Sequence, residues 1–423
     1  MGIASALYSG VSGLNTNSQA MSVIGNNLAN TNTIGFKGAR TVFSDLLSSS
    51  ISGSGGRSQV GRGVNMSIVD NIYSQGTFET TESGLDIAIE GQGFFLLKQP
   101  GNDTAYYSRA GAFRFDDQGY LVNPEGMRVQ GQAYDDTGVL TPGDPRDIRV
   151  SNAGLIKGRA TTAITLNTNL DSAEEIITLP FDITDPNTFN YSSSTQTFDS
   201  LGNPHLLTTY FRKTGANEWE WHWSAELPNG TVQQGAGGNN LYFTPEGLLT
   251  DTAGGTAPAV NAITGAVPAI DWQNGTTPTA VSLTFDTTQF NSESMVISQD
   301  QDGYAAGELT GIAIDGGGAV IASYSNGEQR KVSHMVLARF TNPNGLEASG
   351  SNTYIATTES GPARTGLPGA ELGKIFTNSL EMSNVDMGSE FVRMITVQRG
   401  FQANSKIITT VDELLGELIN LKR

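Results

Sequence analysis

Hydrophobic positions at the two ends of the chain fall on a seven-residue repeat. Leu7, Leu14, Met21 and Leu28 recur at that spacing, with Ile3, Gly10, Asn17 and Ile24 on the adjoining seam. Near the other end Met387, Met394, Phe401, Ile408 and Leu415 repeat in the same way, flanked by Glu390, Val397, Asn404, Val411 and Leu418. Such a repeat sets one stripe of a helix against a partner helix, so two long terminal helices with matching seams are expected. Gly2, Gly10, Gly13 and Gly25 each cost about 1 kcal/mol relative to Ala in a helix interior. Burial of Leu7, Leu14, Met21, Ile24 and Leu28 returns about 1.5–3 kcal/mol each, so the first helix needs a partner surface to form. The second helix starts better, with Ser383 as candidate N-cap, Asp386 in the first turn, and Lys422 and Arg423 at the negative end of the dipole.

Between the ends the period changes to two. Residues 85–98 (LDIAIEGQGFFLLK) and 106–134 alternate apolar and polar positions and are broken by turn clusters such as DDQG and NPEG, which predicts strands. FDDQGYL at 115–121 is echoed by FTPEGLL at 243–249, a sharing of turn chemistry more than a true repeat. In EWEWHW, Trp219, Trp221 and Trp223 share one strand face and Glu218, Glu220 and His222 the other, so the tryptophans are expected in a core. The predicted class is α+β and multidomain: discontinuous terminal helices form a coiled-coil-like inner domain, and the middle domains are β-rich and barrel- or sandwich-like.

Composition sets the boundaries. SSSISGSGGRSQVGRG at 48–63 and ESGPARTGLPG at 359–369 read as extended connectors. Residues 151–294 are rich in Thr, Gly and Asn and contain TAGGTAPAVNAITGAVPA, so they read as an inserted module. The expected nesting is residues 1–36 with 384–423 as the inner helical domain and 37–70 with 360–383 as connectors. Residues 71–150 with 295–359 then form a first β domain, and 151–294 an outer one.

Charge sharpens the picture. The 423-residue chain carries a net −18, yet residues 1–36 contain no Asp, Glu, Lys, Arg or His. Residues 384–423 balance five acids (Asp386, Glu390, Asp412, Glu413, Glu417) against five bases (Arg393, Arg399, Lys406, Lys422, Arg423), so all of the net charge lies in residues 37–383. A helix packed against identical copies of itself would meet like charge at every contact, so a neutral terminus suits self-assembly. The acidic balance also argues against nucleic acid as a partner.

Few chemistries survive inspection. There is no cysteine, and His205, His222 and His334 are too scattered for a metal cluster. No G-x-S-x-G, H-E-x-x-H or P-loop pattern is present. GQG at 91–93 leads into a strand, DQDG at 300–303 has its glycine too early for an EF-hand, and the adjacent pairs Asp116-Asp117 and Asp135-Asp136 suit turns. No catalytic, cofactor-binding or metal-binding residue is assigned, and no enzymatic activity is expected. The N-terminus lacks the basic start and apolar run of a secretory signal, Ala6 stands where N-myristoylation wants Ser or Thr, and no segment is apolar enough to insert in a membrane.

The segment IGNNLANTNTIGFKG at 24–38 resembles the N-terminal signature of the bacterial flagellar rod and hook axial proteins. GLDIAIEGQGFF at 84–95, YSRAGAF at 107–113, LVNPEGMRVQG at 121–131 and SNVD at 383–386 resemble further segments of that family in order. The matching positions are Asn26, Asn27, Ala29, Asn30, Gly35, Phe36 and Lys37 at one end and Ser383, Asn384, Val385 and Asp386 at the other. The resemblance implies a self-polymerising structural subunit whose terminal helices line a tube and whose β domains lie outside. It also implies export through the flagellar secretion apparatus without signal cleavage, an extracellular location, and a rod, a cap and a hook-filament junction protein as partners. The length points to the hook-forming member, with the distal rod as alternative. A different class, a secreted β-rich carbohydrate-binding protein or hydrolase, would use Trp219, Trp221 and Trp223. Within the motif the asparagines are expected to fix register and end the helix without adding charge, and Gly25 and Ala29 to allow close backbone approach.

Overall fold

The computed structural model describes residues 2–46, 49–53, 56–135, 137–150, 155–253, 260–369 and 371–421. Asp136, Lys422, Arg423, residues 254–259 of the inserted loop and parts of the 48–63 stretch lie outside the described residues, as do the side chains of Ile3 and Leu418.

Both predicted helices are present, α1 over Gly2–Ala29 and α2 over Met387–Leu421. They run antiparallel: Gly10 of α1 lies against Ile408 and Asn404 of α2, Gly13 against Asn404, and Asn17 against Gly400. The cap of α2 differs from expectation. Asp386 accepts a hydrogen bond from the Ser389 backbone N–H at 2.6 Å, three residues on, and is the N-cap. Ser383 stops short of the helix, its hydroxyl accepting instead from Val385 N–H at 3.3 Å. The backbone N–H of Ser389 holds the Asp386 carboxyl below its ordinary pKa, which keeps a negative charge at the positive end of the helix dipole.

The chain divides into two compact units, one of Met1–Asn152, Ile312–Ala322 and Arg330–Arg423, the other of Ala153–Gly311 and Ser323–Gln329. In the first, the hairpin Phe94–Lys98 and Ala105–Ser108 continues into Thr353–Ile355 and Glu347–Gly350, and Arg128–Ala133 pairs on its other side. Phe94, Leu96, Tyr107, Val336, Ala338, Phe340 and Tyr354 form its core. The second expected connector is not free, since Lys374–Thr377 pairs with Ile87–Glu90 and Ser379–Glu381 with Phe78–Thr80. Residues Ala39–Asp45 and Val64–Asn71 likewise pair as a separate antiparallel ribbon.

The second unit packs two sheets face to face. One contains Tyr191–Phe198, Pro204–Gly215 and Glu218–Glu226, and the other Ile263–Ile270, Thr279–Phe290, Ala163–Asp171 and Met295–Gln301. It runs past the expected boundary at 294 because Met295–Gln301 pairs with Ala163–Asp171. Trp219, Trp221 and Trp223 are buried in the core between the sheets, with Trp221 and Phe285 rings 4.9 Å apart. Buried rings offer nothing for a sugar to stack on, which removes the carbohydrate reading.

The echoed heptapeptides share one turn. Gly119 N–H bonds Asp116 O at 3.1 Å, and Gly247 N–H bonds Thr244 O at 2.9 Å, with both glycines at φ near +80°. Asp199 with Gly202 and Asp315 with Gly318 repeat the same closure, so the likeness is turn chemistry. In DQDG, Asp302 accepts from Thr162 and Ala163 backbone N–H at 2.8 and 2.9 Å, a structural use of that carboxylate.

Candidate assembly interface

The seam between α1 and α2 is built from small residues. On α1 the buried stripe is Gly10, Gly13, Thr16, Ala20, Ile24 and Asn27, while Leu7, Leu14, Met21 and Leu28 flank it half-buried. A Cβ added to Gly13 would lie 2.6 Å from the Asn404 carboxamide, so that side chain fills the space glycine leaves. On α2, Val411 is buried and Met394, Val397, Asn404, Ile408 and Leu415 are half-buried along the same line. Glu390, the buried acid of this line, pairs with Arg393 at 2.8 Å. Phe401 and Met387 depart from the expected seam and face outward. Gly400 takes the place of Phe401, because a straight helix drifts from a strict seven-residue repeat and α1 approaches too closely here for a phenyl ring. Amides in the seam turn back on their own helices: Asn17 donates to Gly13 O at 2.7 Å and Asn404 to Gly400 O at 3.0 Å.

The outer surface of this helix pair mixes exposed apolar side chains with the exposed charges Arg393, Arg399, Lys406, Asp412, Glu413 and Glu417. Phe391, Val392, Ile395, Phe401, Ile407 and Leu414 of α2 and Tyr8 and Val11 of α1 are all exposed.

Below the helices the two quoted motifs meet. Asn27 grips Ala39 from both sides, donating to its carbonyl at 2.7 Å and accepting from its N–H at 2.9 Å. Asn384 does the same between strands, accepting from Gly38 N–H at 2.8 Å and donating to Ile72 O at 2.7 Å. A Cβ on Gly38 would lie 2.9 Å from Val385. Gly35 has φ +68°, and a Cβ there would lie 2.6 Å from Ala110 N, so this position requires glycine.

Lys37 is buried and donates to the Glu381 carboxylate at 2.5 Å and to Ser74 O at 2.7 Å. Arg109 reaches the other oxygen of Glu381 at 3.3 Å, and Gly76 N–H donates to the same carboxylate at 3.0 Å. The three side chains are 0–4% exposed, so two cations share one buried carboxylate. Burial pulls the pKa of Lys37 and of Arg109 down, and Glu381 opposes it in both.

The motif residues therefore split. Asn27, Gly35, Lys37, Asn384 and Val385 are engaged inside the chain, whereas Asn26 and Ala29 are exposed. Asn30 makes only local bonds, donating to the Asn26 carbonyl at 2.9 Å and accepting from the Thr33 hydroxyl at 3.0 Å. Gly25 has open space beside it, so the close approach expected there is not made within the chain. Phe36 is half-buried, and with Asn26 and Asn30 it lines a groove of about 580 Å³. Glu381, Ser74 and Asn352, which donates to Ile34 O at 2.7 Å, escaped the sequence reading. Arg109 lay unremarked in YSRAGAF. One signal for Glu381 existed: it is the only acid between Glu371 and Asp386.

Among the described residues no group of three His, Asp or Glu side chains is placed to hold a metal, and no helix is long and apolar enough to cross a membrane. Four family models match in chain order: the flagella basal body rod protein over 7–37 and the flagellar hook protein FlgE/F/G D1 domain over 88–158, then the flagellar basal body protein FlaE D2 domain over 169–304 and the flagellar basal body rod FlgEFG protein C-terminal model over 377–421. The flagellar hook protein FlgE of Borreliella burgdorferi is 37% identical, over 99% of this chain and 99% of its own. Its namesake in Escherichia coli is 34% identical over 99% and 100%.

The chain belongs to the flagellar hook protein family.

That family is structural and non-enzymatic. The Salmonella typhimurium member is 34% identical over 97% of this chain and 98% of its own. The crystal structure of Helicobacter pylori flagellar hook protein FlgE2 shares the fold, with a TM-score of 0.53 at 15% identity over 72% of this chain and all of that one.

Proposed function

We propose that this chain builds the hook itself, polymerising through α1 and α2 into a tube that couples the rotary motor to the filament. The observation that carries this reading is the helix pair, which buries a neutral, small-residue seam and leaves large apolar side chains exposed on its outer side. Phe391, Val392, Ile395, Ile407 and Leu414, exposed among charged residues along one helix, need cover. Neighbouring copies provide it, in a coiled-coil-like inner wall.

In this reading Asn27, Gly35, Lys37, Ser383, Asn384, Val385 and Asp386 fix the base of the helices, while Asn26, Ala29 and Asn30, with Gly25, face the neighbours. Residues 1–36 and 384–423 form the wall, 37–70 and 360–383 connect it to a first β domain, and the sandwich unit of Ala153–Gly311 and Ser323–Gln329 is a separate module. A distal rod below, a cap during growth and a junction protein above are its partners, and the subunit reaches the cell exterior through the flagellar export apparatus without signal cleavage. Electron microscopy of the full-length protein at rising concentration tests the proposal. Hollow tubes above a threshold are expected, and a monomer at every concentration contradicts it.

A further inference from the structure

Residues 172–190 link the two sheets of the second unit and pass over the face of Pro204–Gly215 and Glu218–Glu226 that turns away from the buried tryptophans. The ends of this strap are pinned. Lys213 Nζ donates to Ser172 O at 2.6 Å and to Glu174 O at 2.9 Å, Ile177 N–H donates to Lys213 O at 2.9 Å, and Asn190 N–H to Phe211 O at 2.9 Å. Between the pins the hold is mostly aromatic. Phe181 lies flat on His222, rings 3.9 Å apart and 5° from parallel, and meets Tyr210 at 5.4 Å, while Phe189 meets Tyr210 at 4.9 Å. Arg212, ion-paired with Glu220, also donates to Leu179 O. The hydrogen bonds of Asp182, Thr184, Asp185 and Thr188 stay within the strap itself.

The strap covers polar groups without satisfying them. His222 is 8% exposed, yet its Nε2 has no hydrogen-bond partner, Glu220 Oε1 facing it at 3.4 Å, and Arg212 Nε is likewise buried and unpaired. Such atoms recover hydrogen bonds only by reaching water. Two charges bear on His222: Glu220 on its own strand draws a proton to it, and Arg212 on the neighbouring strand repels one. Across the strands it faces Tyr210, whose hydroxyl bonds Ser224, and the methyl of Ala236. The strap above it carries Glu174, Glu175, Asp182 and Asp185 and no base.

We infer that this strap is an acid-released cover: a proton on His222 lifts residues 177–189 from the sheet and bares the aromatic face beneath. The sign follows from burial. Under Phe181 the imidazolium is stripped of water, and lifting the strap returns it, so the open form takes a proton more readily than the closed one. A single proton then raises the open fraction by up to about tenfold per pH unit below 6.5, the ordinary value of His222. The inference is independent of the polymer reading, since every group involved lies within one sandwich unit.

Hydrogen exchange of the dilute full-length protein reads the opening at the Ile177, Asp182, Asp185 and Thr188 amides, all hydrogen-bonded in the closed strap. Each rate is divided by the unfolded-chain rate at the same pH. Protection there should fall roughly fivefold or more between about pH 7 and about pH 5, while the amides of Thr279–Phe290 in the facing sheet keep theirs. His222→Phe keeps a ring under Phe181 that cannot take a proton, and its protection should stay constant. Glu220→Gln removes the group that draws the proton in and should move the onset to lower pH; it decides the matter if His222→Phe does not fold. Constant protection in wild type, an equal fall in His222→Phe, an unmoved onset in Glu220→Gln, or joint loss of protection in the strap and Thr279–Phe290 overturns the inference.

Discussion

Glu381 balances two buried cations, Lys37 and Arg109, and the imbalance decides how substitutions there behave. Glu381→Gln leaves both cations buried without a counter-charge, and removing one partner of a buried ion pair costs about 3–5 kcal/mol. Lys37→Met leaves one cation facing one carboxylate and should cost distinctly less. Hydrogen exchange at Gly35, Gly38 and Gly76 in assembled protein reads the difference, with protection lost in Glu381→Gln and largely kept in Lys37→Met. Equal loss in both would show that the charge balance is irrelevant. The partnership was hidden from the sequence because Lys37 and Glu381 stand 344 positions apart, and no local pattern couples them. Asn27 and Asn384 were visible as motif members, but their grip on Ala39 and Gly38 was not.

At the scale of elements, what could be read locally came through. Both helices and the glycine turns follow from period and turn chemistry within a few residues of sequence. The pairing of Lys374–Thr377 with Ile87–Glu90 did not, since such a ladder depends on strands far apart in the chain. The helix seam was legible only in part: Ile24, Asn404, Ile408 and Val411 lie along it, whereas Leu7, Leu14, Met21 and Leu28 flank it, Thr16 and Ala20 were not foreseen, and Met387 and Phe401 face outward. The close approach of the two helices makes Gly13 a sensitive position. Gly13→Ala gains about 1 kcal/mol of helix propensity but drives a Cβ into Asn404, and overpacking costs about 1–3 kcal/mol. The single change should therefore be neutral to destabilising, and Asn404→Ala in the same chain should turn it into a gain. Thermal unfolding of the two variants checks the reversal of sign.

At the scale of the whole molecule, the second unit carries its own pH dependence. His222 lies under Phe181, rings stacked 3.9 Å apart. Burial lowers its pKa, against the pull of Glu220 and with the help of Arg212. A base with a depressed folded pKa binds fewer protons when folded than when unfolded. Its contribution is therefore complete above its ordinary value of 6.5 and declines as pH falls below it. Asp199 titrates elsewhere: burial pushes its pKa up, but hydrogen bonds from Asn203, His205 and Asn274 outweigh this and hold it well below the carboxylate range. That stability is lost only as pH drops below about 4. Melting of this unit between pH 7.5 and 5 should fall in wild type and flatten in His222→Phe; an unchanged slope would remove His222 as the cause. The sandwich and its tryptophan core were legible from alternation, whereas the boundary at 294 was not, because Met295–Gln301 belongs by pairing and not by composition.

The central claim is that the uncharged first helix packs against copies of itself, and Ser18→Asp tests it most directly. Ser18 is exposed on α1, and the direct helix penalty of Asp is a few tenths of a kcal/mol at about the scale of ordinary propensity differences. In a tube the charge appears on every subunit, and two such charges about 10 Å apart at an effective dielectric near 20 repel by roughly 1.7 kcal/mol before screening. Asn102→Asp, on an exposed loop of the acidic β region, adds the same charge as a control. The measurement is the critical concentration for polymerisation at low and high salt. Ser18→Asp should raise it by roughly tenfold or more at low salt, high salt should restore part of the loss, and Asn102→Asp should match wild type. A critical concentration equal to wild type at both salts would contradict the claim.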